Sequence, residues 1–349
     1  MTFVIGRGEG ESLEKRPTGR LGTYRALDGS SGAPLYVDLD GPHAMLVVGK
    51  RGYGKSYTLG VIAEALARAE GVAPVVIDPM GVFDTLAEQS RDEPVPAEVM
   101  SAPPVRPNTL DPRSWCALLE LSPESGAGAL VWQAAGEHDS LAGMRRHVRD
   151  ADAPGTDKLA AINHLDLADS WGVFDEEGVA AADLAGPAIT VVDVSGLDSA
   201  PMNAVARAIG ETLYRARVDR AIDRLPWVLI DEVHTFFDGV AAPALERILT
   251  RGRAPGVSLV MATQRPSAVP PVGVSQSDVI VSHRLTSGAD IEALKATQPT
   301  YMDASLAERM PTETGDVIVV DDATETVHAA TIRRRDTPHG GDSPRASEQ

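Results

Sequence analysis

Lysine and cysteine are both scarce in this sequence. Of its 349 residues one is a cysteine, Cys116, and only five of the 32 basic residues are lysine. A single thiol cannot form an intrachain disulfide or a cysteine-based zinc site, and its helical surroundings predict a buried apolar thiol. No apolar run approaches the ~18 residues of a membrane-spanning helix, and no basic segment followed by an apolar one opens the chain. The sequence therefore predicts a cytoplasmic protein without a membrane partner.

Positive charge is also scarce. The 50 acidic residues outnumber the basic ones and leave a formal net charge of −18. Such a charge is a poor match to nucleic acid, because phosphate contacts depend on Lys and Arg. The few lysines and the dispersed acids resemble the composition of proteins from halophilic archaea, in which an acidic surface supports solubility. On this interpretation the net charge neither supports nor excludes DNA as a partner.

Short apolar runs alternate with helical patterns in two parts of the chain. Residues 44–48 and 74–78 predict strands, and 56–69 predict a helix between them, which makes a βα unit with parallel strands. Further strands are predicted at 188–194, 227–231, 257–264, 278–285, 315–320 and 326–334, with helices at 201–223 and 241–251. The predicted fold class is α/β, with a mostly parallel sheet flanked by helices.

The same pattern divides the chain into segments. Residues 1–40 predict a short N-terminal β segment, and 84–183 predict a mainly helical insertion that begins with a proline-rich stretch. The α/β core is predicted to comprise 41–83 and 184–336. The polar residues 337–349 predict a disordered tail.

The stretch GKRGYGKS, residues 49–56, matches the phosphate-binding loop G-x-x-x-x-G-K-S/T. Its glycines let main-chain N–H groups converge on phosphate oxygens, and the helix that follows directs its positive end toward them. Lys55 is predicted to reach the β- and γ-phosphates, and the Ser56 hydroxyl to bind Mg²⁺. The sequence therefore predicts that ATP and Mg²⁺ bind here. The predicted nucleotide-binding residues are Gly49, Lys50, Arg51, Gly52, Tyr53, Gly54, Lys55, Ser56 and Tyr57.

Two adjacent acids end a later strand, in RLPWVLIDEVH. Asp231 is predicted to hold Mg²⁺ through water, opposite Ser56. Glu232 is predicted to orient or deprotonate the attacking water. A pair of acids in these two roles favours hydrolysis over simple nucleotide binding. His234 completes the motif, and a histidine in that place is more often structural.

Polar residues follow other strands as well. Asp78 is interpreted either as a second acid near the metal or as a cap for the next turn. Gln264 ends a strand beside the phosphates and is predicted to contact both the γ-phosphate and the water. Of Arg251, Arg253 and Arg284, one is predicted to neutralise the γ-phosphate of a neighbouring subunit. Arg253 and Arg284 are the stronger candidates.

These motifs occur in an order that resembles the HerA branch of the HerA–FtsK family of ring-forming ATPases. The stretches that carry the resemblance, within 41–83 and 184–336, are HAMLVVG, VVIDPMG, VLIDEVH, GRAPGVSLVMATQRPS, SHRLTSGADIEAL and IRRRDTPHGG. The resemblance implies a RecA-like fold and a homo-oligomeric ring, expected to be a hexamer. It implies ATP hydrolysis at the subunit junctions. It also implies double-stranded DNA drawn through a central pore, with a NurA-type nuclease as a candidate partner in DNA end resection. By position, the family's functional residues correspond to Lys55, Ser56, Asp231, Glu232, Gln264, Arg253 and Arg284.

The sequence departs from the family pattern at three places. Residues 1–40 are far shorter than the family's N-terminal β-barrel. Val82 stands where the family often carries an acid, and the nearest acid is Asp84. Tyr53 replaces a small residue in the phosphate loop, where it would cover the phosphates or stack on a ring.

Candidate DNA contacts are the basic clusters at 144–149 and 332–336 and the polar segment 265–277. The alternative function is an ATP-gated assembly or defence component that switches partners without moving along DNA. A third reading is a nucleotide-binding protein that does not hydrolyse.

Overall fold

The computed structural model describes residues 4–7, 16–26, 29–88, 94–296 and 310–340. Within them, twelve strands form one sheet in the order β1-β3-β2-β12-β11-β10-β4-β9-β8-β5-β7-β6. The strands are β1 (Val4–Ile5), β2 (Thr18–Arg25), β3 (Ser31–Asp38), β4 (Ala44–Val48), β5 (Val72–Asp78), β6 (Ala97–Ser101), β7 (Ile189–Asp193), β8 (Leu225–Ile230), β9 (Ser258–Thr263), β10 (Val279–Ser282), β11 (Asp316–Asp321) and β12 (Thr326–Ile332).

Helices cover both faces of this sheet. The α-helices are α1 (Lys55–Ala67), α2 (Pro112–Leu118), α3 (Gly126–Glu137), α4 (Leu141–Asp150), α5 (Gly155–Ser170), α6 (Ala181–Leu184), α7 (Ser199–Val218), α8 (His234–Phe237), α9 (Ala242–Arg251), α10 (Pro271–Ser275) and α11 (Gly288–Ala296). Short 3₁₀ turns occupy Asp84–Ala87, Pro107–Thr109 and Pro266–Ala268. None of the described helices combines the length and the apolar character that crossing a membrane requires.

The part of the sheet from β10 to β6 is parallel. Its central strands are buried on both faces, so they are continuous apolar runs rather than alternating ones. Alternate side chains of each strand enter two cores. One core includes α1 and the other includes α7 and α9. All these strands end at the same edge of the sheet, which places the residues that follow them together.

The other part of the sheet is mostly antiparallel and joins the N-terminal segment to the core. β10 pairs with β11, β11 with β12, and β12 with β2. The sequence predicted strands in β1 and β3 but not β2, whose TGRLGTYR has few apolar residues. Gly22 is necessary in β2, because a Cβ there would lie 2.0 Å from the carbonyl oxygen of Thr331.

The segment 84–183 is not purely helical. It contains α2 to α6, and four of these helices pack around the buried side chains of Trp115, Val131 and Leu165. It also contains β6, which adds a parallel edge strand to β7 and was not predicted. The β6 sequence AEVMS is short and half-exposed, so no apolar run marks it. Cys116 is buried as predicted, and burial raises the pKa of its thiol.

The predicted disorder of 337–349 is wrong for its first residues. Thr337 is buried, and both its backbone N–H and its hydroxyl donate to the Glu64 carboxylate, at 2.9 and 2.8 Å. The polar composition that suggested disorder instead serves this buried acid on α1. Residues 341–349 of the predicted tail lie outside the described residues.

A charged cluster closes the amino ends of the central strands. His43, which precedes β4, lies between two carboxylates: Nδ1 is 2.8 Å from Asp278 and Nε2 is 3.3 Å from Asp38. Asp38 also pairs with Arg7. Burial alone would lower the pKa of His43, but its hydrogen bonds to Asp278 and Asp38 raise it to about 9. The histidine that begins HAMLVVG therefore serves the fold as a buried cation.

This cluster predicts how stability changes in alkaline solution. The folded pKa of His43 exceeds its ordinary value of 6.5, so its contribution is complete below that pH and is lost as pH rises through about 9. The loss should be on the order of 3 kcal/mol in the free energy of unfolding. Urea unfolding at pH 6 and pH 10 measures it. The His43→Gln variant should lose less stability over this range than the wild type or a His164→Gln control, and equal losses would contradict the assignment.

Candidate nucleotide-binding site

The loop between β4 and α1 has the shape that its glycines allow. Gly52 and Gly54 adopt positive φ angles of 80° and 105°, a region that other residues rarely enter. At Gly49, a Cβ would lie 2.5 Å from the Cβ of His283. Since α1 begins at Lys55, its free N–H groups are directed toward the loop. The segment is built as a phosphate-binding loop.

Lys55 lies between this loop and the acidic pair. Its side chain is buried, and Nζ donates to the carbonyl oxygen of Lys50 at 3.4 Å. Burial lowers the pKa of Lys55, while the nearby Glu232 and Asp231 raise it. An ammonium group in this position can receive the negative charge of a triphosphate.

Ser56 and Asp231 are in direct contact. The Ser56 hydroxyl donates to Oδ2 of Asp231 at 2.5 Å, and Oδ1 of Asp231 accepts from the backbone N–H of Glu232 at 2.9 Å. Burial raises the pKa of Asp231. A hydroxyl and a carboxylate side by side offer the oxygen ligands that Mg²⁺ prefers, so the residues predicted to hold the metal fit it.

Glu232 is held in a strained conformation beside Asp231. Its φ is +45°, which a non-glycine residue adopts at a cost and mostly at functional sites. Burial and the charge of Asp231 raise the pKa of Glu232. Its Oε2 atom is buried without a hydrogen-bond partner among the described residues. The carboxylate is thus a stronger base than an ordinary glutamate.

His234 lies beside this carboxylate. Its Nδ1 is 3.4 Å from Oε2 of Glu232 and 3.1 Å from Oγ1 of Thr263. Burial and the charge of Arg265 lower the pKa of His234, so the ring is neutral at pH 7. A neutral ring between β8 and β9 positions Glu232 without adding charge to the site.

Gln264 follows β9, which lies between β4 and β8 in the sheet. The last residue of β9, Thr263, pairs with Val48 at the end of β4. Gln264 is therefore placed between the phosphate loop and the acidic pair, and it is half-buried. Its predicted contact with the γ-phosphate and the water remains a prediction.

The candidate arginines lie at opposite ends of the parallel strands. The Arg284 guanidinium carbon is 5.8 Å from the ring centroid of Tyr53, and the Lys50 backbone N–H donates to the Arg284 carbonyl at 2.8 Å. Arg284 therefore lies against the phosphate loop of its own chain. Arg253 is exposed and precedes β9, so it lies at the amino ends of the parallel strands, remote from that loop. Arg251, the last residue of α9, lies nearby. Arg253 cannot reach the site of its own chain.

The turn after β5 uses Asp78 as a cap. Its carboxylate accepts from the backbone N–H groups of Met80, Gly81 and Phe83 at 2.8 to 3.0 Å. Burial raises the pKa of Asp78, and these bonds oppose the rise. Of the two interpretations of Asp78, the structure supports the cap. Val82 lines the nucleotide cavity.

His283 is a site residue that the sequence reasoning missed. It follows β10, packs under Gly49, and its Nε2 lies 2.9 Å from Oγ1 of Thr58 on α1. Burial and, to a smaller extent, the charge of Lys55 together lower the pKa of His283 to about 3. The ring is thus a neutral support beneath the loop. Its signal was the polar pair that ends the apolar strand VIVSH.

Two of the candidate DNA-binding clusters are partly occupied by internal ion pairs. Arg333 donates to Glu64 at 2.7 Å, and Arg335 is only 3% exposed, so neither can bind DNA in this conformation. Arg145 bridges Asp166 and Asp169 on α5, at 2.6 and 2.9 Å. Acids from other helices thus pair with these three arginines, and the predicted DNA contacts of their clusters remain predictions.

The exposed arginines of the same clusters are Arg146, Arg149 and Arg334. The third candidate segment, 265–277, contains regular structure. It contains the 3₁₀ turn Pro266–Ala268 and the short helix α10.

Comparison with known proteins supports this description. Residues 20–151 match the family model described as DUF87, helicase HerA, central domain. The match continues past residue 84 into α4, so part of the predicted insertion is shared with that domain. A search of curated proteins finds no match.

Solved structures share the fold at low sequence identity. VirB4 of Thermoanaerobacter pseudethanolicus aligns with a TM-score of 0.66 and 13% identity, over 90% of this chain and 96% of that one. The bacterial conjugative coupling protein TrwBdeltaN70, in its sulphate complex, aligns with a TM-score of 0.58 and 14% identity, over 96% of this chain and 99% of that one. Residues 20–151 are thus similar to the central domain of helicase HerA, and the chain has the RecA-like P-loop ATPase fold of VirB4 and TrwB.

Proposed function

We propose that this protein hydrolyses ATP with Mg²⁺ in a ring of identical subunits that moves on double-stranded DNA. The observation that carries the proposal is the meeting of Lys55, Ser56, Asp231 and Glu232 at one edge of the sheet, where Ser56 and Asp231 are 2.5 Å apart. The loop alone would indicate nucleotide binding. Glu232, the strained base beside the Ser56–Asp231 pair, supports hydrolysis of the bound nucleotide as well.

Each residue has a distinct part in the reaction. Lys55 and the loop N–H groups bind the β- and γ-phosphates, and Ser56 and Asp231 would hold Mg²⁺, which neutralises charge on the phosphates when bound. Glu232 accepts a proton from the attacking water. Gln264 positions that water against the γ-phosphate. The neutral His234 keeps Glu232 in place.

The position of Arg253 supports assembly into a ring. The arginine is exposed at the amino ends of the parallel strands, and its own phosphate loop lies at their carboxyl ends. A head-to-tail contact between copies brings such an arginine to a neighbour's site, and closure of that contact makes a ring. The match of residues 20–151 to the HerA central domain supports a hexamer on DNA, because HerA is described as a helicase.

The ion pairs of the basic clusters favour the second candidate function. With Arg333, Arg335 and Arg145 already paired and a net charge of −18, the described surface has few cations for DNA. An ATP-gated component that switches protein partners needs no such surface. DNA repair, end resection and a NurA-type nuclease are further proposals that only the HerA likeness supports.

The ATPase rate with and without duplex DNA separates the two functions. We expect a motor to be stimulated by duplex DNA at least about tenfold in molar KCl, since translocation couples DNA binding to turnover. Single-stranded DNA of equal nucleotide content is the control. An active ATPase whose rate does not respond to duplex DNA would favour the partner switch.

A further inference from the structure

The nucleotide cavity continues beyond the phosphate loop toward the carboxyl end of the described chain. It has a volume of about 730 Å³, and its wall runs from Lys55 and Ser56 past Tyr57 to Arg334 and His339. A cavity of this size matches a whole small-molecule ligand rather than a phosphate group alone. The part beyond Tyr57 therefore has no role in the phosphate chemistry described above.

We propose that residues 333–340, the C-terminal clasp, bind the nucleoside part of the nucleoside triphosphate. This assignment rests on the proposed function, because it takes the triphosphate to occupy the Lys55 end of the cavity. Arg334 and His339 are then the clasp residues that touch the nucleoside.

The clasp is fixed to the helix that carries the phosphate loop. Glu64 on α1 is fully buried, and its carboxylate accepts from Arg333 Nη1 at 2.7 Å and from the backbone N–H groups of Asp336 and Thr337 at 3.0 and 2.9 Å. A buried carboxylate that is satisfied by several donors rigidifies the segments that supply them. Any nucleoside contact made by the clasp is thus held at a fixed position relative to Ser56.

Further contacts bring the clasp to the mouth of the cavity. The Arg335 backbone N–H donates to the Tyr57 hydroxyl at 2.6 Å, and the rings of Tyr57 and His339 meet edge to face with centroids 5.3 Å apart. At Gly60 a Cβ would lie 2.7 Å from the Arg335 guanidinium, so the Arg335 side chain packs directly against α1. The clasp therefore places His339 against Tyr57, the residue that follows Ser56.

The far end of the clasp reaches the opposite wall of the cavity. A Cβ at Gly340 would lie 3.1 Å from the Val82 carbonyl oxygen and from Cγ2 of Thr85, in the turn after β5. Val82 and Met80 of that turn line the cavity, and Met80 is exposed. The clasp thus spans from β12 across α1 to the β5 turn and encloses the end of the cavity away from Glu232.

The chemistry of this end suits a nucleobase and its ribose. Two aromatic rings and two apolar side chains offer surfaces on which a flat heterocycle packs. Among the described residues, no ion pair or hydrogen bond engages the Arg334 guanidinium, which is a planar donor able to stack on a base or to bind ribose oxygens. Phosphate alone would use neither the rings nor the apolar side chains.

The test compares two probes, ATP and inorganic tripolyphosphate, both with Mg²⁺, in equilibrium binding by calorimetry. His339→Ala and Arg334→Ala should each weaken ATP binding about tenfold, and each should leave tripolyphosphate binding within about twofold of wild type. His164→Ala and Arg146→Ala, which change exposed or half-exposed residues of the helical segment, are the matched controls. Thermal unfolding verifies that each variant is folded.

Four outcomes would overturn the assignment. Equal losses for both probes would mean that the clasp acts only on the phosphate loop, and unchanged ATP binding would mean that the clasp does not touch the nucleoside. A wild type that binds tripolyphosphate as tightly as ATP would exclude any nucleoside site while leaving the phosphate site intact. A wild type that binds neither probe would remove the proposed function together with this inference.

Trypsin provides an independent measurement on unmodified protein. Cleavage after Arg333, Arg334 or Arg335 requires the clasp to leave α1. Since a bound nucleoside would hold the clasp closed, saturating Mg–ATP should slow this cleavage at least about tenfold, and saturating tripolyphosphate should not. Equal protection by the two ligands would contradict a nucleoside contact.

Discussion

Replacing Glu232 with glutamine should lower ATP turnover by about a thousandfold and leave ATP binding nearly unchanged. Glutamine keeps the size of the side chain and its contact distance to His234, but an amide cannot take a proton from water. Lys55, Ser56 and Asp231, which contact the nucleotide and metal in the proposed mechanism, are untouched. Phosphate release measured under saturating ATP gives the turnover, and calorimetry gives the affinity.

Two comparisons sharpen this result. Glu246→Gln removes an exposed carboxylate from α9 and should keep wild-type turnover. Lys55→Ala should lose binding as well as turnover, because it removes the buried cation of the phosphate loop. Turnover that survives in Glu232→Gln would show that another group activates the water. The protein would then lack the base on which the proposed hydrolysis depends.

The pH profile gives a second readout of the same residue. Burial and the neighbouring Asp231 raise the pKa of Glu232, and a general base works only when deprotonated. Turnover of the wild type should therefore fall, as the solution is acidified, at a pH above the ordinary range of a glutamate. The residual activity of Glu232→Gln should lack this decline. A wild-type profile that stays flat down to the ordinary pKa would contradict the assignment.

The buried parallel strands could be predicted because the sequence of each strand alone indicates that it is buried. β4, β5, β8 and β9 are covered on both faces, so each is a short apolar run in the sequence. Edge and antiparallel strands carry no such run. β6 is half-exposed, and β2 depends on Gly22 fitting against the Thr331 carbonyl, a contact with a residue more than three hundred positions away.

In the candidate site, too, contiguous motifs could be predicted and residues whose roles depend on distant contacts could not. The phosphate loop and the Asp231–Glu232 pair could be predicted because each is a contiguous motif at the end of a strand. His283 could not, since its role depends on β10 pairing with β4. The run Arg333–Arg335 suggested DNA because like charges usually face solvent. Its actual partner, Glu64, lies on α1 and had no recognisable signal of its own.

Arg253→Ala should lower turnover by about a thousandfold or more, although the residue lies at the far edge of its own subunit. A guanidinium that approaches the γ-phosphate from a neighbouring copy neutralises charge that develops during transfer. Arg251→Ala is the matched control, since Arg251 is also exposed and lies two residues earlier. We expect it to change turnover only slightly. Steady-state phosphate release measures both variants.

Mixing two inactive variants tests whether the arginine acts between subunits. Arg253→Ala subunits keep an intact phosphate loop, and Lys55→Ala subunits keep an intact arginine. In rings assembled from equal amounts of both, about a quarter of the junctions should pair an intact loop with an intact arginine, so activity should return. A mixture that stays as inactive as its components would place Arg253 outside the reaction, since its own site is out of reach. Recovery of activity would therefore establish at once that the ring forms and that its sites are shared.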